Sequence, residues 1–282
     1  MPVTEQFRTQ PLKANFGVEI IGVDIAKAEP AVCQAVMKLL RRHAAIVLRD
    51  QRLSPEDQLA FTRLFGEPAE NNTRIEYTVP GFPEIFVISN KVVNGKKIGD
   101  HRVGSKWHTD GSWKERPADV TILYALEVPK EGSHTLIADL CAAWNALPAE
   151  RQAQLDGRKM HLSFAHLARQ TGQTLTEEQL QRNPDVQHPM VRRHPVDDRK
   201  ALYLGTTAVR GVTGMQSEQG IELVEELVAF ATQDRFVYRH KWKVGDVLAW
   251  DNACTLHRGT PFDIENDVRL VHRTWVRGSK PC

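Results

Sequence analysis

Residues 107–113 read WHTDGSW, and about half the chain further on residues 251–260 read DNACTLHRGT. His108 and Asp110 stand two positions apart, so in an extended chain both side chains point to the same side. His257 is the third donor of the set. Two neutral imidazoles and one carboxylate form the facial triad that holds non-haem Fe(II) while leaving coordination positions open. A thiolate-rich set would favour zinc or an iron–sulfur cluster, and an all-oxygen set magnesium or calcium. Ligands this far apart meet only if strands from distant parts of the chain converge, a geometry that suits a double-sheet β-barrel such as the jelly roll. The expected fold class is therefore mostly β with surface helices. The other histidines (His43, His101, His134, His161, His166, His188, His194, His240 and His272) are read as hydrogen-bonded core or surface residues.

The rest of the chain agrees with that class. Runs rich in Val, Ile, Leu, Thr and aromatics, bounded by Gly, Pro, Asn or Asp, predict strands at 17–25, 44–50, 84–90, 119–128, 133–139, 200–205, 246–251 and 268–276. Helices are predicted at 30–43, 142–155 and 217–233. Another starts at Ser54, with Pro55 at its first position and Asp57 three residues after the cap. The polar, Gln-rich segment 167–186 reads as a long loop or mobile insertion. No repeat or low-complexity linker divides the chain, so 1–282 is taken as a single domain with a helical and loop insertion around 142–186.

The last predicted strand, VRLVHRTWV (268–276), carries two arginines on one face if it is extended: Arg269 and Arg273, roughly 13 Å apart at about 3.3 Å per residue. Burying two guanidinium groups on an inward face is costly unless each meets an anion. The strand thus offers two separate anion sites beside the metal.

Composition removes other classes. The 282 residues are 41% hydrophobic and 26% charged, enough apolar mass for a core with a wet surface. A net charge of +2 gives no global field for nucleic acid. The N-terminal MPVTEQFRTQ lacks a basic segment followed by an apolar run, and no stretch is long and apolar enough to span a membrane. Cys33, Cys141, Cys254 and Cys282 are scattered without zinc-ligand spacing and fit a reducing compartment. The expected location is cytoplasmic.

These segments together, from GVEIIGVDI (17–25) through LSPEDQLAFTRLFGEP (53–68) and WHTD to WDNACTLHRG and RLVHRTWV, resemble the taurine / 2,4-dichlorophenoxyacetate dioxygenase family of Fe(II)- and 2-oxoglutarate-dependent oxygenases. The resemblance implies a double-stranded β-helix (jelly-roll) core, with Fe(II) held by His108, Asp110 and His257. It implies that Arg269, helped by the Thr135 hydroxyl, holds the 2-oxoglutarate carboxylate in a charge-assisted pair. His134 stands where the family has Asp or another small polar residue, which touches the turn 132–135 but leaves Thr135 in place. The implied reaction consumes 2-oxoglutarate and O2, releases succinate and carbon dioxide, and hydroxylates a carbon, with C–O or C–S cleavage where that carbon bears oxygen or sulfur. The resemblance also implies a homo-oligomer, a dimer or tetramer.

The primary substrate is bracketed less tightly. The histidine- and tyrosine-bearing loop of the taurine branch is not retained in NNTRIEYTV (71–79), although Tyr77 lies there. The phenoxyacetate branch places basic residues in this region, where Arg74 and Lys96 stand. With Arg273 they make the candidate receptor for a small anionic substrate: a carboxylate, sulfonate or sulfate ester. The competing reading is a metal-binding jelly roll without oxygenase activity, or a zinc hydrolase. A hydrolase needs a general base beside the metal, and no HExxH motif is present.

Overall fold

The computed structural model describes residues 7–71, 74–102, 104–170, 172 and 174–282. Residues 1–6 of the N-terminal stretch, 72 and 73 of the 71–79 loop, 103, and 171 and 173 of the 167–186 segment lie outside the described residues. The chain runs through β1 (Arg8–Lys13), β2 (Phe16–Ile21), α1 (Pro30–His43), β3 (Ala45–Leu48), α2 (Pro55–Arg63), β4 (Thr78–Val79), β5 (Phe82–Ser89), β6 (Val92–Val93) and β7 (Lys96–Lys97). It continues with β8 (Ala118–Glu127), β9 (Thr135–Asp139), α3 (Leu140–Asn145), α4 (Ala149–Leu155), β10 (Lys159–Leu162), α5 (Phe164–Gln170), α6 (Glu177–Arg182) and β11 (Val186–Pro189). It closes with β12 (Val191–Arg193), β13 (Lys200–Leu202), β14 (Val209–Val212), α7 (Ser217–Ala231), β15 (Val237–His240), β16 (Val247–Asp251), β17 (Thr255–Gly259) and β18 (Leu270–Arg277).

Two sheets make the core. The larger has the order β1-β2-β3-β16-β8-β18-β5-β4, and the smaller is β15-β9-β17. Val47, Phe86, Leu123 and Leu248 of the larger sheet pack in one buried cluster with Ile137 and Leu256 of the smaller, so the two sheets face each other as a jelly roll does. The opposite face of the larger sheet is covered by helices. Val32, Val36 and Leu40 of α1 and Phe61 of α2 pack there against Val18, Ile20, Ile46 and Leu48. The α2 start follows its sequence signal: Ser54 Oγ accepts from the Asp57 amide at 3.1 Å, and the Asp57 carboxylate accepts from the Ser54 amide at 2.9 Å.

The structure departs from the sequence reading in the insertion. Residues 142–155 do not form one helix. Asp139 caps α3, and Pro148, which lacks an amide hydrogen and restricts the residue before it, separates α3 from α4. The region also holds two strands that the periodicity did not predict, β10 and β11, whose short KMHL and VQHP segments pair with each other; β10 also pairs with β14. Among the described residues no helix is long and apolar enough to cross a membrane.

Strand β18 is an interior strand, hydrogen-bonded to β8 on one side and β5 on the other, so Arg273 is not the arginine of a solvated edge; the strand begins at Leu270, which leaves Arg269 just outside it. Its register against β8 shifts between Leu270 and Val271 and again between Trp275 and Arg277, irregularities that re-aim side chains at both ends. His272 lies in the middle, opposite Val87 and Tyr124, and burial pushes its imidazole down to about 4. Its ordinary value is about 6.5, so the unfolded chain binds this proton more readily than the folded one. The stability it protects is present above about pH 6.5 and is lost as pH falls toward 4. Between pH 7 and pH 5, His272→Leu should lose less stability than the wild type by on the order of 1 kcal/mol, measured by urea unfolding at both pH values. Parallel losses would mean that His272 takes up its proton as readily in the native state as in the unfolded chain.

Candidate active site

His108 and His257 are direct partners across one antiparallel bridge, and each backbone amide donates to the other residue's carbonyl at 2.9 Å. Their rings lie 4.2 Å apart. Asp110 faces both: its Oδ1 is 3.5 Å from His108 Nε2 and its Oδ2 is 3.4 Å from His257 Nε2. The donor atoms of the three all fall within 4.8 Å of one another. The supports around them are fixed. Thr121 Oγ1 donates to Asp110 Oδ2 at 2.6 Å, Asn252 Nδ2 donates to Thr121 Oγ1 at 2.8 Å, and Trp250 Nε1 donates to Asn252 Oδ1 at 3.3 Å. His108 Nδ1 lies 2.8 Å from the Lys106 carbonyl, an acceptor, so that nitrogen carries the hydrogen and Nε2 keeps its lone pair.

Electrostatics leave this set ready for a cation. Burial, reinforced by His108, pushes His257 down to about 3, so its imidazole is neutral near pH 7. Burial works to raise Asp110, but the facing imidazoles and Arg273 outweigh it and hold the carboxyl well below its ordinary value. A neutral imidazole and an ionised carboxylate are the protonation states that metal binding requires. The donor set therefore fits a divalent ion with open positions. Among the described residues His194, Asp251 and Cys254 also cluster, but cations already occupy that place. Arg41 Nη1 is 2.6 Å from Asp251 Oδ2, and Arg199 Nη2 is 3.6 Å from Cys254 Sγ.

Arg269, just before β18 begins, and Arg273 within it have different surroundings. Arg269 is buried with no acidic partner among the described residues and with its Nε unbonded; burial alone pushes its guanidinium down to about 10. Thr135 is also buried and is paired in register with Gly259, two residues beyond His257. Its hydroxyl accepts from Trp242 Nε1 at 3.1 Å. Ahead of Thr135, Gly132 has φ +73°, and a Cβ there would lie 2.4 Å from the Pro261 carbonyl, so only glycine lets this turn dock on the segment after β17. His134 does not disturb it, since its amide donates to Thr260 Oγ1 at 2.8 Å.

Arg273 opens into a cavity of about 990 Å³ lined also by His108, Asp110, Arg74, Phe86, Trp113, Lys114, Phe164 and Trp275. Its guanidinium stacks on Phe86 and Trp275, 4.7 and 4.1 Å from the ring centroids, and senses Asp110 and Arg74. Arg74 reaches the cavity already paired with buried Asp100, which also takes Arg102 Nε at 3.1 Å. Lys96 sits on the exposed β6–β7 hairpin and is not among the lining residues. The insertion supplies part of the wall through Phe164, Gln170, Gln179 and Arg182. Sequence reasoning missed Lys114, Trp113 and Trp242. Lys114 and Trp113 stand four and three residues after Asp110 in the chain, so their nearness to the proposed ligand was the available signal.

A double-stranded β-helix with two histidines and one carboxylate converging inside it is the architecture of the non-haem Fe(II) oxygenases. The chain belongs to the taurine catabolism dioxygenase TauD, TfdA family, which it matches over residues 8–275. It is 33% identical over 275 residues to the alpha-ketoglutarate-dependent 2,4-dichlorophenoxyacetate dioxygenase of Cupriavidus pinatubonensis, covering 94% of this chain and 96% of that protein. It is 30% identical to the (S)-phenoxypropionate/alpha-ketoglutarate-dioxygenase of Sphingobium herbicidovorans, covering 94% and 93%. Among solved structures, AAD-2 in complex with Mn(II) and N-oxalylglycine superposes with a TM-score of 0.83 at 30% identity, covering 98% of both chains.

Proposed function

We propose that this protein is an Fe(II)- and 2-oxoglutarate-dependent dioxygenase that hydroxylates a small anionic organic molecule. One observation carries the reading: the cavity lined by His108 and Asp110 of the His108–Asp110–His257 cluster also holds a cationic group, Arg273, while a second buried cation, Arg269, has no acidic partner among the described residues. Iron bound by the three donors would supply the redox chemistry that couples O2 to the decarboxylation of 2-oxoglutarate and to substrate hydroxylation. The chain's own residues bind and orient. Thr121 and Asn252 hold the carboxylate donor, Lys106 fixes the tautomer of His108, and Arg269 with Thr135 takes the 2-oxoglutarate carboxylate. The apolar walls, Phe86, Trp113, Phe164 and Trp275, keep water from the reacting carbon. N-oxalylglycine, seen with Mn(II) in AAD-2, differs from 2-oxoglutarate by an NH in place of a CH2, which supports this pairing of metal and cosubstrate.

Arg273 receives the acidic group of the primary substrate. The relatives named for 2,4-dichlorophenoxyacetate and phenoxypropionate act on carboxylic acids, which supports an anionic substrate here. A small anion entering a dry pocket needs a fixed opposite charge to offset its lost hydration. Succinate formation from 2-oxoglutarate with Fe(II) and ascorbate, across a panel of organic acids, tests the activity; no succinate with any of them would refute it. On an accepted acid, Arg273→Gln should raise the substrate KM at least about tenfold while changing the 2-oxoglutarate KM by less than about twofold. An acid and its methyl ester oxidised equally well would remove the anionic requirement.

A further inference from the structure

We propose that Lys114 and Arg273 form one receptor for a doubly negative head group, so that the primary substrate is an organic dianion: a phosphate monoester, a phosphonate or a dicarboxylate. The inference rests on the reading of this cavity as the substrate pocket and names the ligand class within it.

Lys114 leaves the turn that follows Asp110. Its amide donates to the Gly111 carbonyl at 2.8 Å, and its carbonyl lies 2.8 Å from His188 Nε2, so its backbone is tied down. Its Nζ lies 5.6 Å from the Trp275 ring centroid, and the Arg273 guanidinium lies 4.1 Å from the same centroid. Two cations thus share one indole on the cavity wall. The carboxylates lining the cavity are committed elsewhere. Asp110 stands between the two imidazoles, Asp100 takes Arg74 and Arg102, Glu115 reaches Lys280 at 3.1 Å, and Glu70 is exposed at the rim. Among the described residues Lys114 has no acidic partner.

Burial, with Arg273 and Arg277 adding to it, disfavours the Lys114 charge. Two like charges gathered at one indole and each disfavoured by burial persist at a cost that a counter-anion removes. A monoanion on Arg273 would leave the second cation facing the cavity unanswered; a dianion answers both. The organic body fits the stacked pair Trp113 and Phe164, whose centroids lie 5.6 Å apart.

Phenyl phosphate and phenyl sulfate share a tetrahedral head and differ by one charge at pH about 7.5, above the phosphate's second pKa of about 6. Calorimetric titration of each is run on the full chain loaded with Mn(II) and N-oxalylglycine, so that the chelating positions are filled. Benzylmalonate against phenylacetate serves as the carboxylate pair. The wild type should bind the dianion of each pair at least about tenfold tighter. Lys114→Met should bring that ratio below about threefold, weakening the dianion more than phenyl sulfate, and Lys114→Arg, which keeps the charge, should retain the preference. A tenfold preference in only one pair assigns the head to phosphorus or to carboxylates. A ratio near one in the wild type, or one untouched by Lys114→Met, overturns the receptor; should Lys114→Met not fold, Lys114→Gln gives the same reading. Charge discrimination without any 2-oxoglutarate turnover would refute the oxygenase reading alone, whereas turnover without discrimination would refute the receptor alone.

Discussion

Loss of all 2-oxoglutarate-dependent succinate formation is the expected result of replacing His257 by alanine. The imidazole is one of three donors brought within 4.8 Å, and two donors on one side of a cavity hold a divalent ion poorly. Losing only an outer partner of a metal ligand costs about 10- to 100-fold in affinity or activity, so losing the ligand itself should cost more. The protein should still fold, because His257 is tied to His108 through backbone groups that alanine keeps. Anaerobic Fe(II) titration and turnover, with a melting curve as control, make the measurement. Full turnover by His257→Ala would remove the histidine from the metal site. Zinc in place of iron should leave a folded, inactive protein, since zinc has no redox chemistry.

A rise of at least about tenfold in the 2-oxoglutarate constant is expected for Arg269→Ala. Removing one partner of a buried, hydrogen-bonded charge pair costs about 2–5 kcal/mol, or roughly 30- to 4,000-fold. Arg269 adds a second readout because it is buried without a counter-ion before the cosubstrate arrives. Arg269→Met removes that desolvated charge and keeps most of the volume, so the ligand-free variant should be no less stable than the wild type. The stabilisation that 2-oxoglutarate gives the wild type, which grows with the logarithm of its concentration above Kd, should be correspondingly smaller in the variant at the same concentration. An unchanged constant would assign the carboxylate to Arg273 instead.

The donors of the candidate site were legible because their chemistry is local. A His-x-Asp pair in an extended stretch points one way in any sheet, and the α2 cap is written in four adjacent residues. Arg273 was legible from strand alternation, but Arg269 lies just before β18, on the far side of a register shift that the sequence could not announce, since a bulge depends on the partner strand. What escaped depends on contacts between distant segments. Trp242 comes under Thr135 because β15 pairs with β9, and Lys114 matters only once β18 brings Trp275 and Arg273 beside it. Lys96 shows the converse: a basic residue at a plausible position in the chain lies on a separate, exposed hairpin. Strands β10 and β11 were hidden because four-residue segments carry too little alternation to be distinguished from loop.

The bridge between His108 and His257 sets when, during the life of a chain, a metal ion can meet all three donors. Its two halves lie about half the chain apart, and contacts between such distant segments form late, after the loops that separate them have closed. A nascent or partly unfolded polypeptide therefore owns the donors but not the geometry to hold them together. An ion taking all three donors would thus be gripped only in a chain whose distant halves have already met.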